Sequence, residues 1–254
     1  KVDDHDFTDY YYDQDKNNLQ YLKTWGGTWS EYGGAQAQTD WDNFVNFVTS
    51  NPMTNQANYN TVKSQYNTGS LIDYFLLNSY IVSSDWLNWN TSWWRGMNPN
   101  GDKKKWRYSL WDLDATFDHY INYSWPSGWQ ATTTNDPCEP ANLLNNPGGQ
   151  GHVPIWVNLL ENTEFHDDFI NRWQDLANGP FSCSYMVNLL DSMVAVIDPE
   201  MPRQISTWGG GTYSDWQNNV ADLRNFILAR CDSMNSGFLA CDSTITGIYD
   251  VTVE

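Results

Sequence analysis

At 254 residues the chain is long enough to bury a substantial core, as one large domain or two small ones. A hydrophobic fraction of 40 % with 15 tryptophans excludes a disordered chain. A formal charge of −18 argues against nucleic-acid binding, which needs clustered Lys and Arg, and no apolar run reaches the roughly 20 residues of a membrane span.

Residues 1–40 are acidic and tyrosine-rich and close on Gly26-Gly27 and Gly33-Gly34. They read as an N-terminal segment, a linker or the tail end of a preceding lobe, ahead of a main body over 41–242. Asp13-Gln-Asp15-Lys-Asn17 opens like a calcium loop. Asn18 stands where that loop needs Gly and Thr24 where it needs Glu, so an exposed loop or linker is the alternative. Thr39 or Asp40 should cap a helix whose stripe of Trp41, Phe44, Val45 and Val48 stops at Asn51-Pro52. Ser70-Leu-Ile-Asp73 looks like a capping box for a buried helix, because Leu71 to Val82 is too evenly apolar for a surface one. Gly96-Met-Asn-Pro-Asn-Gly-Asp102 is a strong turn signal between two strands. Lys103 to Lys105 read as solvated loop charges, with phosphate contact as the alternative.

Lys105 to Trp111 reads as a strand, since Trp106, Tyr108 and Leu110 alternate with Arg107 and Ser109. Carried through Asp112-Leu-Asp114, the alternation puts two carboxylates on one face, about 7 Å apart at roughly 3.3 Å per residue. Acids so spaced can share a divalent cation. A solvated strand face is the plainer alternative, although Trp, Leu and Ala crowd around both acids. Upstream, Asp85 and Asn90 follow the buried helix. An Asp to accept a hydroxyl proton, with an Asn and the D-x-D acids to hold magnesium on a triphosphate, suggests a phosphotransfer site.

Tyr120 to His152 has little periodicity, and a loop that long is usually functional or disulfide-tethered. The remainder reads as helical. One helix is capped at Thr163, with Phe165, Phe169, Ile170, Trp173 and Leu176 on its apolar side. Another covers Met186 to Val196, with Leu189, Leu190, Met193 and Val194 facing inward. A capping box at Ser214–Gln217 opens a third over Val220 to Arg230. Residues 243–254 alternate like the start of a following strand or domain. Four cysteines, an even number, fit an oxidising compartment. Cys231 and Cys241 bracket what reads as a short loop after a helix, which pairs them and leaves Cys138 for Cys183. Free thiols and a metal site are the alternatives, but no C-x-x-C or Cys/His cluster supports zinc.

Several of these stretches carry a family likeness. Asp85-Trp-Leu-Asn-Trp-Asn90, Trp93-Trp-Arg-Gly96 and Leu110-Trp-Asp-Leu-Asp-Ala-Thr-Phe117, followed by Glu200-Met-Pro-Arg-Gln-Ile205 and Trp208-Gly-Gly210, resemble the spore-coat protein H (CotH) kinase-like family. The variety is similar to secreted Bacteroidetes proteins. The resemblance implies an α+β, atypical protein-kinase-like fold, with a helix-rich C-lobe and a small sheet carrying the D-x-D strand. It implies use of ATP with magnesium or manganese. Asp85 is then the general base, and Asn90, Asp112 and Asp114 the metal and nucleotide ligands. Two departures stand out. Position 118 is Asp where the family pattern usually has Gly, and the family's ATP-gripping lysine is expected on an N-lobe that precedes this chain. The chain is thus expected to be a C-lobe-rich part of an extracellular or cell-surface protein, exported by a segment not present here.

Two readings follow. The first is a secreted kinase acting on Ser or Thr of protein substrates at the surface. The second is a kinase-fold surface protein without catalysis, serving assembly, adhesion or glycan binding. A glycosidase would need acids opposed across a cleft, and adjacent D-x-D acids suit a metal better.

Overall fold

The computed structural model describes residues 4–87, 89–101, 104–118, 131–138 and 150–245. They fall into two compact units. One comprises Lys1–Asn78, Asp85–Leu113 and Glu139–Arg172, and the other Ser79–Ser84, Asp114–Cys138 and Trp173–Glu254. The expected helix-rich α+β architecture is present, with one four-stranded antiparallel sheet among the described residues.

The sheet belongs to the first unit, in the order β2-β1-β3-β4: β1 Leu19–Thr24, β2 Thr28–Tyr32, β3 Thr91–Gly96 and β4 Arg107–Leu110. The β3–β4 hairpin expected around the Gly/Pro/Asn turn forms in register Trp93↔Tyr108. Residues 1–40 supply the other two strands. All six residues of β1 are buried, so it lacks the alternation that marks a one-sided strand. Its polar residues find partners instead. The Gln20 amide donates to Asp40 and accepts from Arg95, both at 2.7 Å.

Period-2 geometry sends Trp93 and Trp94 of β3 to opposite faces. Trp94 meets Tyr12 of α1 (His5–Tyr12) at 4.9 Å. Trp93 meets Trp41 of α2 (Gly34–Ser50) at 5.4 Å. Helix α2 starts at the left-handed Gly33 (φ 89°), ahead of the expected cap at Thr39 or Asp40. Its buried stripe is Ala37, Trp41, Phe44 and Val48. Asp13 closes α1 at φ 54°, and Asp15 accepts the Asn17 amide at 2.7 Å. The chain then enters a strand, where a calcium loop of the helix–loop–helix kind would enter a second helix.

Helix α3 (Gln56–Gln65) escapes the sequence reading because it is mostly polar and buries only Tyr59 and Val62. Helix α4 (Thr68–Tyr80) is the expected buried helix. Asn67, rather than Ser70, supplies the oxygen for its first turn, and the Ser70 hydroxyl accepts the Tyr108 amide of β4 at 3.0 Å. Helices α5 (His152–Leu160) and α6 (Thr163–Ala177) follow, and Asn162 caps α6 by accepting the Glu164 and Phe165 amides.

His152 sits fully buried against Trp41 and Trp93. The Tyr66 hydroxyl donates to Tyr108 at 2.9 Å, and Tyr108 donates on to His152 Nδ1 at 2.7 Å, which makes the ring neutral with its proton on Nε2. Burial pushes the imidazole pKa down to about 3. The unfolded ring takes up a proton below about pH 6.5 while the folded ring stays neutral, so stability falls as pH falls through this window. The expected slope from His152 is about 1.4 kcal/mol per pH unit between pH 6 and 4. Urea unfolding across that range should show this slope reduced in His152→Gln. An unchanged slope would show that the ring protonates in the folded state.

The second unit is helical: α7 (Cys183–Ile197), a short 3₁₀ turn at Asp198–Glu200, α8 (Met201–Trp208) and α9 (Tyr213–Cys241). Thr212 and Asp215 form the capping box of α9, ahead of the expected Ser214. Because α9 runs unbroken through Cys231 to Cys241, these two lie about 15 Å apart at roughly 1.5 Å rise per residue, too far to bridge. The observed disulfides are Cys138–Cys241 and Cys183–Cys231, with Cα–Cα distances of 6.1 and 5.6 Å. In α7, Leu189 and Met193 were expected inward but are 39 % and 58 % exposed, while Val187 is buried. The helix is apolar on several sides, so periodicity could not select its packed face. All but Ile245 of the strand expected near the C-terminal end, and most of the Tyr120–His152 loop, lie outside the described residues.

Candidate functional site

The segment between α4 and β3 carries Asp85 and Asn90, and its backbone is held far from relaxed geometry. Leu87 (φ 69°) and Asn90 (φ 51°) are both left-handed, which costs Leu87 of order 1 kcal/mol or more, while asparagine is among the side chains that tolerate it. Leu87 is fully buried and anchors the middle of the loop. Trp86 packs on Tyr74 and Phe75 of α4, at 5.9 and 5.3 Å. The loop brings together two residues expected to act together, since Asn90 Nδ2 donates to Asp85 Oδ2 at 2.8 Å. Asn90 is 4 % exposed, and its Oδ1 is buried without a hydrogen-bond partner. A buried amide oxygen left unpaired is costly, and it is a hard oxygen donor of the kind magnesium and calcium take.

The D-x-D acids are arranged differently from the expectation. Strand β4 stops at Leu110, and Asp112 adopts φ 53°. A left-handed residue breaks the two-residue alternation, so strand geometry does not put Asp112 and Asp114 on a common face. Asp112, Leu113 and Asp114 are all exposed. Asp112 falls in the first unit with Asp85 and Asn90, whereas Asp114 begins a segment of the second. Exposed carboxylates fit magnesium, which keeps several waters and takes one or two protein acids beside phosphate oxygens. Among the described residues, the His/Cys/Asp/Glu groups close enough to share an ion are Asp136–Cys138–Cys241 and Cys183–Cys231–Asp232, whose sulfurs are used in disulfides.

Trp111, just before Asp112, lies beside a buried lysine. Lys23 of β1 is 7 % exposed, with its ammonium 5.2 Å from the Trp111 ring and 5.3 Å from that of Tyr21. A cation held over aromatic faces next to the acid loop is a candidate for meeting phosphate charge. The signal in the sequence is a lysine inside the run Leu19–Thr24, and that run has no period to mark it as a strand. Lys103 and Asn88 lie outside the described residues. At position 118, the departure noted in the sequence, Asp118 adopts φ 54° after Phe117 at φ 58°. That is the left-handed form that glycine favours, and Asp is among the side chains that tolerate it.

A family model described as CotH kinase protein matches residues 1–234. No curated protein and no solved structure matches the chain.

Proposed function

Because this chain belongs to the CotH kinase protein family, we propose that it is an atypical protein kinase that transfers the γ-phosphoryl group of ATP to Ser or Thr hydroxyls of surface proteins. The observation that carries this reading is the Asp85–Asn90 hydrogen bond with the unpartnered Asn90 Oδ1. An Asp followed five positions later by an Asn is the spacing by which kinase catalytic loops hold a proton acceptor beside a metal ligand.

In this reading the bond from γ-phosphorus to the bridging oxygen breaks as the bond to the acceptor oxygen forms, and Asp85 takes the hydroxyl proton. Asn90 fixes the Asp85 carboxylate through Nδ2 and offers Oδ1 to magnesium or manganese, with Asp112 and Asp114 as the acidic ligands. When bound, the metal offsets the charge on the phosphate oxygens. Lys23 adds a fixed positive charge near the Asp112 end. Two disulfides support an extracellular setting.

The test is transfer of labelled γ-phosphate to the protein itself and to Ser/Thr peptides, with and without Mn²⁺. Asp85→Asn should lower the rate roughly 100- to 10,000-fold, as for loss of a general base. Asp112→Ala and Asp114→Ala show which acid carries the metal. Equal background labelling in wild type and all variants would sink the proposal. The rival reading, a non-catalytic binding module, is favoured by Trp25, Trp29 and Trp89, which are 59, 39 and 40 % exposed. Stabilisation by sugars but not by metal and ATP would select it.

A further inference from the structure

We propose that Thr91, the first residue of β3, is the positioning residue that holds Asp85 and Asn90 in working geometry; the inference rests on the phosphotransfer reading and names a residue which that reading does not include. Thr91 is fully buried, and its hydroxyl makes every bond a hydroxyl can make. It accepts the Leu87 amide at 3.0 Å and donates to the Trp89 carbonyl at 3.2 Å. That donation uses its single proton, so the Tyr74 hydroxyl, 3.1 Å away, donates to it.

Those contacts close the loop on itself. Leu87 and Trp89 lie within the segment from Asp85 to Asn90, where left-handed φ at Leu87 and Asn90 prevents an ordinary ladder of backbone bonds. One buried oxygen replaces that ladder. Thr91 itself is fixed from both sides, paired with Thr24 of β1 and Leu110 of β4, and Tyr74 adds a tie to α4. The sheet therefore sets the conformation of the loop through a single side chain. Without the hydroxyl, the Leu87 amide, the Trp89 carbonyl and the Tyr74 hydroxyl lose their partner together. The loop then keeps the packing of Trp86 and Leu87 but loses its hydrogen-bonded tie to the sheet, and Asn90 Oδ1 is held less firmly in direction.

Groups that orient a ligand from behind typically cost about 10- to 100-fold in metal affinity or activity when removed. The test compares Thr91→Val, which keeps the shape and removes the hydroxyl, with Thr91→Ser, which keeps the hydroxyl, and with Tyr74→Phe. Mn²⁺ binding without nucleotide, followed by electron paramagnetic resonance, is read beside kcat and KM for transfer from ATP. Thr91→Val is expected to weaken Mn²⁺ binding and lower kcat about 10-fold or more, while the KM for the peptide acceptor is unchanged. Thr91→Ser should restore both, and Tyr74→Phe should fall between. Wild-type behaviour in Thr91→Val would overturn the inference, as would equal impairment of the Val and Ser variants, which would point to packing. If Thr91→Val does not fold, wild-type Mn²⁺ binding by Tyr74→Phe would overturn it. A wild-type protein that neither binds Mn²⁺ nor transfers phosphate removes the underlying reading instead, so the two failures are separable.

Discussion

Replacing Arg230 with methionine should cost about 3–5 kcal/mol of stability, the upper range for breaking a buried hydrogen-bond network. The side chain is 1 % exposed in α9 of the second unit. Its Nε donates to the Tyr80 carbonyl at 3.2 Å and its Nη2 to the Ser79 carbonyl at 2.8 Å, both in the last turn of α4. Its Nη1 donates to the carbonyls of Thr133 and Asn135, at 3.0 and 2.6 Å. Helix ends leave carbonyls without intrahelical partners, and a cation there also meets the negative end of the helix dipole. Methionine fills much of the volume but removes the guanidinium from four carbonyls; Ser79 keeps the Val82 amide and Thr133 the Ser233 hydroxyl, while the Tyr80 and Asn135 carbonyls lose this donor, at about 1–3 kcal/mol each before the structure relaxes. Lysine keeps the charge without the planar fork, so Arg230→Lys should recover less than half of the loss. Chemical denaturation of the three proteins is the measurement. A loss below about 1 kcal/mol in Arg230→Met would mean that water reaches these carbonyls.

Removal of the Cys138–Cys241 bridge should cost a similar amount, about 4–5 kcal/mol. This disulfide spans 103 positions, and closing so long a loop removes much of the freedom of the unfolded chain. Cys183–Cys231, spanning 48 positions, should contribute about 4 kcal/mol. Alanine pairs at each bridge, compared by urea unfolding with the oxidised protein, give both values. Peptide mapping should recover Cys138 joined to Cys241. A protein equally stable with and without reductant would show that the bridges add nothing, and would remove one support for an extracellular setting.

Particular residues show where sequence reasoning reached and where it stopped. Asp85 and Asn90 were singled out as a candidate pair by residue type and closeness in sequence, and their side chains meet at 2.8 Å. The β3–β4 hairpin was legible because Gly, Pro and Asn restrict the backbone locally. The D-x-D geometry was not, because a left-handed φ at Asp112 carries no mark in a pattern of apolar and polar residues. The disulfide pairing failed for a related reason. Whether Cys231 and Cys241 bracket a loop or share a helix depends on where α9 ends, and helix ends are poorly marked by periodicity. Thr91 stayed hidden because it is a polar side chain inside a buried strand, and the place of Lys23 in such a strand is marked by no period in the sequence around it.

The sequence by itself determined the helix-rich α+β class, the oxidising cysteine content, the family likeness and the residue types of the candidate site. Those properties live in composition, local backbone preference and short-range spacing, which each residue carries with it. Tertiary structure decided which cysteines pair, that residues 1–40 supply half of the sheet, and that one threonine hydroxyl secures the Asp85–Asn90 loop. Each of those depends on groups far apart in the chain meeting within a few ångströms, where burial forces every polar atom to find a partner.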